Sequence, residues 1–146
     1  AVHLKNNPND PQSNAKIDNW LTLFEYCRIE KLPVFFVLIG NDVYDDRCYK
    51  QSNVRVTQTL GGQLELDLAL IKLSYLFMGM ASGPCNMALF CGTPYLIWKH
   101  PEHHAKEMEH EFQGHSQFVF ANEFQQFFRD WDSAENLINA FNELFL

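Results

Sequence analysis

Apolar and polar positions recur with two different periods along this chain, and the switches between them mark its elements. Across Ala1 to Lys5, Val2 and Leu4 alternate with His3 and Lys5, which predicts a first strand. The polar stretch 6–14, NNPNDPQSN, is rich in turn formers and reads as a loop. Ile17, Trp20, Leu21, Phe24 and Cys27 then recur at helical spacing, predicting an amphipathic helix over Ile17 to Ile29 that Leu32-Pro33 ends. Val34 to Ile39 (VFFVLI) is apolar throughout, the pattern of a central strand covered on both faces, and Gly40-Asn41-Asp42 turns the chain at its end.

Val43 to Asn53 reads as one or two helical turns followed by loop, Val54 to Thr57 as a short edge strand, and Gly61-Gly62 as a break. Gln63 to Ser74 carries a mainly apolar helical stripe through Leu64, Leu68 and Ile71. A buried strand over Tyr75 to Gly79 leads into the small-residue turn Met80-Ala81-Ser82-Gly83-Pro84, a short helix over Cys85 to Phe90, a stop at Gly92 and a strand over Tyr95 to Trp98. Pro101 to Phe112 reads as a charged helix, Gln117 to Phe120 as the last strand, and Glu123 to Arg129 and Ser133 to Phe145 as closing helices. Leu137, Ile138, Phe141, Leu144 and Phe145 give the last helix one apolar face. About six strands alternating with helices predict an α/β three-layer sandwich with a mostly parallel sheet, and its expected form is the Rossmann-like doubly wound sheet of order 3-2-1-4-5-6. No repeat or linker divides the 146 residues, so 1–146 is read as one domain.

Composition narrows the function more than the fold. A formal charge of −7 with no basic patch argues against a nonspecific binder of nucleic acid or anionic membrane. No apolar run is long enough for a membrane span, and no signal-peptide pattern appears, so a cytoplasmic protein is expected. The chain opens with Ala directly on a strand, which leaves room for a preceding segment. Thirteen Phe, many in the last third, suggest aromatic surface that meets a partner. Cys27, Cys48, Cys85 and Cys91 form no C-x-x-C pair and read as reduced thiols. Cys85 opens a helix, where a thiol pKa can fall, yet no histidine stands beside it in sequence and space filling explains it more simply.

The strand–turn–helix over Tyr75 to Phe90 carries the clearest chemistry, because a helix N-terminus offers free N–H groups and a favourable dipole to an anion such as phosphate. Together with the following G-T-P and strand, and the preceding L-x-L-x-L-A-L-I helix, it resembles the nucleotide-sugar-binding half of GT-B glycosyltransferases, in particular the heptosyltransferase-like branch. The matching positions are Ala81, Ser82, Gly83, Pro84, Ala88, Gly92, Thr93 and Pro94, and the likeness extends across nearly the whole chain. It departs in two places. Ala81 stands where the family often has an acidic residue, and only one domain is present, whereas GT-B enzymes react in a cleft between two.

The resemblance implies a nucleotide-diphospho-sugar as donor substrate and an acceptor-side domain or second chain that supplies the base. Strands one and four flank the switch point, so Lys5 and Asn6 would face Ser82, Gly83, Pro84 and Asn86, with the diphosphate on the Gly83, Cys85 and Asn86 amides. Gly40, Asn41, Thr59 and Leu60 would hold base and ribose, while Lys99 and His100 would border the crevice. Alone, these are ordinary turn residues. Backbone amides and the helix dipole, not a bound cation, would offset charge on the leaving diphosphate. His103, Glu107, His110 and Glu111 share a helical face, but H-E-x-x-H is absent and a solvated face suffices, so no metal site is assigned. Asp45-Asp46 and Asp130/Asp132 read as solvated loops, no catalytic residue is assigned, and neither a Walker loop nor G-x-G-x-x-G appears. Two rivals stay open: a non-catalytic domain that assembles, for example as a homodimer, through its aromatic surface, and a flavodoxin-like small-molecule binder.

Overall fold

The strands are short, two to four residues each, and helices cover both faces of the sheet they form. The computed structural model describes residues 1–61 and 63–145, with the backbone alone at 59 and 60. Six strands, β1 (Val2–His3), β2 (Phe36–Leu38), β3 (Val54–Val56), β4 (Phe77–Met80), β5 (Tyr95–Trp98) and β6 (Gln125–Phe128), form one sheet in the order β3-β2-β1-β4-β5-β6. Every pairing is parallel, so the expected order stands and the sheet is wholly rather than mostly parallel. Helices α1 (Ile17–Ile29), α2 (Asp46–Tyr49), α3 (Leu64–Leu73), α4 (Gly83–Phe90), α5 (Ala105–Phe112) and α6 (Ala134–Phe145) make the connections and the close, giving a Rossmann-like fold. No helix among the described residues is long and apolar enough to cross a membrane.

Alternation along the strands separates two cores. In β5, Leu96 and Trp98 face α1 and α6, where they join Trp20, Phe24, Leu137 and Phe141. Tyr95 and Ile97 face the other way, onto Ile71, Cys85, Ala88, Met108 and Phe112 from α3, α4 and α5. Trp20 meets Trp98 edge to face, with ring centroids 5.8 Å apart and planes at 88°, a geometry that the ring quadrupole favours. Burial pushes the thiols of Cys27, Cys48 and Cys85 up to about 11, and at Cys85 desolvation of the thiolate outweighs the lowering by the Ser82 backbone and Lys99, in keeping with a space-filling thiol. All four cysteines are free.

The last third is rearranged relative to the sequence reading. Gln117 to Phe120 is bend and turn, and the sixth strand is Gln125–Phe128, inside the stretch expected to be helical. The reason is side-chain amides. Gln125 donates to the Thr93 carbonyl at 3.1 Å and accepts from the Asn122 amide at 3.1 Å, so a glutamine sits buried in a strand with its polar atoms paired. Gln117 runs beside β6, where its amide accepts from Phe127 N at 2.6 Å and donates to Phe127 O at 3.1 Å. At the opposite edge, the Arg55 guanidinium donates to the Val54 carbonyl at 2.7 Å.

Asp132, expected in a solvated loop, is fully buried and ties three segments together. Its carboxylate accepts from Lys16 N at 2.7 Å and Trp20 Nε1 at 2.8 Å, which compensates its burial with charge-assisted bonds. Asp45 does stay in a polar surface pair: it caps α2 by accepting from Arg47 N at 2.8 Å, and the Arg47 guanidinium helps hold its carboxyl at about 2.

At Gly79 β4 passes close against β1. A Cβ there would lie 2.5 Å from the His3 carbonyl oxygen, a backbone atom with no freedom to move aside. Gly79→Ala is therefore expected to lower unfolding stability by about 3 kcal/mol through overpacking, measured by urea denaturation. Stability within about 0.5 kcal/mol of wild type would show that β1 and β4 can separate without cost.

Candidate functional site

Strands β1 and β4 are neighbours in space, although the chain between them builds the other half of the sheet, so their C-terminal loops meet at the switch point. With the loop after β2 they enclose a groove of about 690 Å³. Lys5, Asn6, Gly40, Asn41, Ser82, Gly83 and Pro84, all singled out in the sequence, line it. Asn86 and Lys99 lie on the far side of the first turn of α4, in a second groove of about 610 Å³ that shares Ser82. The side chain of Thr59, like that of Leu60, lies outside the described residues.

His100 goes elsewhere. Its ring is buried, with Nδ1 2.6 Å from the Gln12 carbonyl and Nε2 2.9 Å from Asp132 Oδ1. Both partners are acceptors, so both bonds form only when each ring nitrogen carries a proton. The ring lies tilted against Trp131, 4.6 Å between centroids, and braces the loop after β5.

Three residues absent from the sequence-level site dominate its geometry. His3 is 3% exposed and carries a hydrogen bond on each ring nitrogen: Nε2 to Asp42 Oδ2 at 2.7 Å and Nδ1 to Ser82 Oγ at 2.8 Å. Its ring is held by Gly40, whose φ is +96° and where a Cβ would fall 2.6 Å from the imidazole. Asp42 Oδ1 also accepts from the Asn6 amide at 2.7 Å, and the bond from His3, followed by that amide, holds its carboxyl below the usual range. Asp67, on α3, accepts from Gly40 N at 3.0 Å through Oδ2, and its buried Oδ1 has no partner. Burial raises the Asp67 pKa.

The position of the Ser82 hydroxyl has a consequence for α4. Ser82 is the N-cap, with extended backbone (φ −164°, ψ −176°), yet its side chain makes no capping bond. A serine cap stabilises a helix by about 1 kcal/mol. Here the bond to His3, of similar net worth, replaces it. Asn86 N closes on the Ser82 carbonyl at 3.3 Å, so the amide expected to serve a ligand is used by the helix. Gly83 N and Cys85 N, in the first turn, are left without a helical acceptor, and Pro84 has no N–H.

The basic groups are more committed than their sequence positions suggested. Lys5 Nζ lies 3.1 Å from Asp10 Oδ2. The Ser13 hydroxyl first, and Lys5 second, bring the Asp10 carboxyl down to about 2. Lys99 has its pKa lowered, by burial first and by Lys5 second. In the His/Glu-rich segment, His104 Nδ1 lies 3.9 Å from Glu107 and His103 Nε2 lies 3.3 Å from Asp10. Among the described residues, no three His, Cys, Asp or Glu side chains gather as a metal site.

No family model, curated protein or solved structure matches the chain. One signal in the sequence pointed to His3: a polar residue at the C-terminal end of a central strand, which needs a partner when both faces of the sheet are covered. Asp42 was visible only as a turn former.

Because the Asp42 pKa is lowered in the folded protein, its contribution to stability is complete above the ordinary aspartate value of 3.8 and disappears as pH falls through the lowered value. Asp42→Asn is expected to cost about 1.5 kcal/mol at neutral pH, with the gap to wild type closing on acidification below that ordinary value. Equilibrium unfolding across pH measures this. A gap independent of pH would show that the charge on Asp42 does not matter.

Proposed function

We propose that this chain is the donor-binding half of a GT-B-type glycosyltransferase, holding a nucleotide-diphospho-sugar in the switch-point groove while another domain or chain supplies acceptor and base. The observation that carries the reading is the start of the eight-residue helix α4, two residues after β4, where Gly83 lines the groove of about 690 Å³ with its N–H unused by the helix and the Cys85 N–H, likewise unused, lies on the side of the second groove. Such an N-terminus favours an anion through both its donors and its dipole. The volume suits a ligand of nucleotide size, and the diphosphate would sit where Lys5, across the groove, adds positive charge. Gly40 and Asn41 would border the nucleoside end. On this reading the chain alone binds a donor and does not transfer its sugar.

A second reading, assembly through an aromatic face, draws on the surface between α4 and the 117–124 segment. Phe90 and Phe120 pack with centroids 5.3 Å apart while staying 75% and 50% exposed. Light scattering separates the two readings, because a strictly monomeric chain leaves that face without a self-partner.

Titration with UDP-, GDP- and ADP-sugars, followed by calorimetry or NMR shifts, is expected to give saturable binding for at least one of them. Gly83→Val is then expected to weaken binding by more than about tenfold. Its melting temperature should stay unchanged, because a Cβ at this position meets nothing within 4 Å. Absence of saturation with every donor at millimolar concentration would defeat the proposal, and unaltered affinity in Gly83→Val would misplace the diphosphate.

A further inference from the structure

The hydrogen-bonded chain from Asp42 through His3 to Ser82 has a direction. Asp42 is a carboxylate that already accepts the Asn6 amide on Oδ1, so at Oδ2 it accepts from His3 and fixes the ring proton on Nε2. In the neutral ring, Nδ1 is then bare, and its partner at 2.8 Å is a hydroxyl, so Ser82 donates its proton to His3. A hydroxyl bonded to a buried base, which a carboxylate orients in turn, is the arrangement that activates an alcohol for attack.

Three further observations separate this chain from a tie between loops. Ser82 lines both grooves and is only half buried, so a ligand can reach its oxygen. The hydroxyl forgoes the capping bond it could accept from Cys85 N, and Gly83 N, at the first helical position, has no helical acceptor either, so both amides remain as donors for an oxyanion formed at Ser82. Asp67, also on the groove wall, carries a buried carboxyl oxygen with no partner, which a hydroxyl of a ligand would satisfy.

We propose that Ser82 is a nucleophile, with His3 as its general base and Asp42 as the residue that orients His3, and that the groove hydrolyses small hydroxyl-bearing carboxylic esters. Ser82 Oγ attacks the ester carbonyl carbon while its proton passes to His3 Nδ1, and the oxyanion rests on the Gly83 and Cys85 amides. Collapse breaks the bond to the alcohol, which leaves with the proton from His3 Nδ1, and the acyl group remains on Ser82. Water then attacks the acyl carbon, giving its proton to His3, and the second collapse returns that proton to Ser82 Oγ and releases the acid. The net reaction is ester plus water to acid plus alcohol. The proposal does not depend on donor binding, since nucleotide-sugar titration and serine reactivity succeed or fail separately.

The test is covalent labelling of the full chain with a fluorophosphonate, read by intact mass and peptide mapping, beside the release of p-nitrophenolate from p-nitrophenyl acetate. One phosphonyl group per chain, at Ser82, is expected. Ser82→Ala should abolish it, and His3→Gln should slow it at least ~100-fold. Because His3 fills a tight slot, Asp42→Asn provides a second variant that spares the ring. It should slow labelling at least ~10-fold while circular dichroism shows an intact fold, since the ring loses the acceptor that sets its tautomer. A purely structural chain would give no labelling of folded wild type, labelling away from Ser82, or a rate at Ser82 unchanged in Asp42→Asn. Any of these overturns the proposal.

Discussion

The close approach of β4 to β1 at Gly79 is the constraint on which the centre of the molecule depends. The backbones pass so near that no side chain fits between them. The register that follows sets His3 opposite Gly79 and delivers Ser82 to the imidazole three residues later. Gly40, in the loop after β2, approaches the ring of the same histidine, so one glycine lies against the His3 backbone and another against its side chain. The groove is thus built by backbone proximity first and side-chain chemistry second. Its walls come from loops whose spacing the sheet dictates, which is why the polar atoms in it meet at hydrogen-bond distance.

Much of the architecture was legible because periodicity reports local burial. The bounds of α1 and β5 coincide with their apolar patterns, and the parallel pairing of the sheet follows from the alternation of strand and helix. Local pattern carries no such signal where pairing depends on residues distant in sequence. Gln125 looks solvated until Thr93, 32 positions earlier, supplies its acceptor. Gln117 looks like the start of a strand until its amide is seen to stand in for one. Asp132 presents the same problem, for its partners are Lys16, Trp20 and His100. A buried polar residue announces itself in sequence only as an interruption, and the interruption does not name its partner.

The candidate site shows the same division. Its backbone part, the small-residue turn and the start of α4, could be read from Ser82, Gly83 and Pro84 because turn chemistry is local. Its side-chain part could not. His3, Asp42 and Ser82 are separated by 39 and 40 positions, and only the parallel crossover brings them together. His100 illustrates the reverse error: the end of β5 is the right latitude for a crevice residue, but Asp132 draws its ring away from the grooves and into the packing under Trp131.

The two edges of the sheet have a consequence for how the molecule meets copies of itself. An open parallel sheet ends in rows of unpaired amides and carbonyls, which are templates for a further strand. On β6 the outward N–H and C=O of Phe127 are both occupied by Gln117, and on β3 the outward carbonyl of Val54 is occupied by Arg55. The chain's own side chains thus act as surrogate end strands. Growth of the sheet into fibrillar aggregates would first have to displace them.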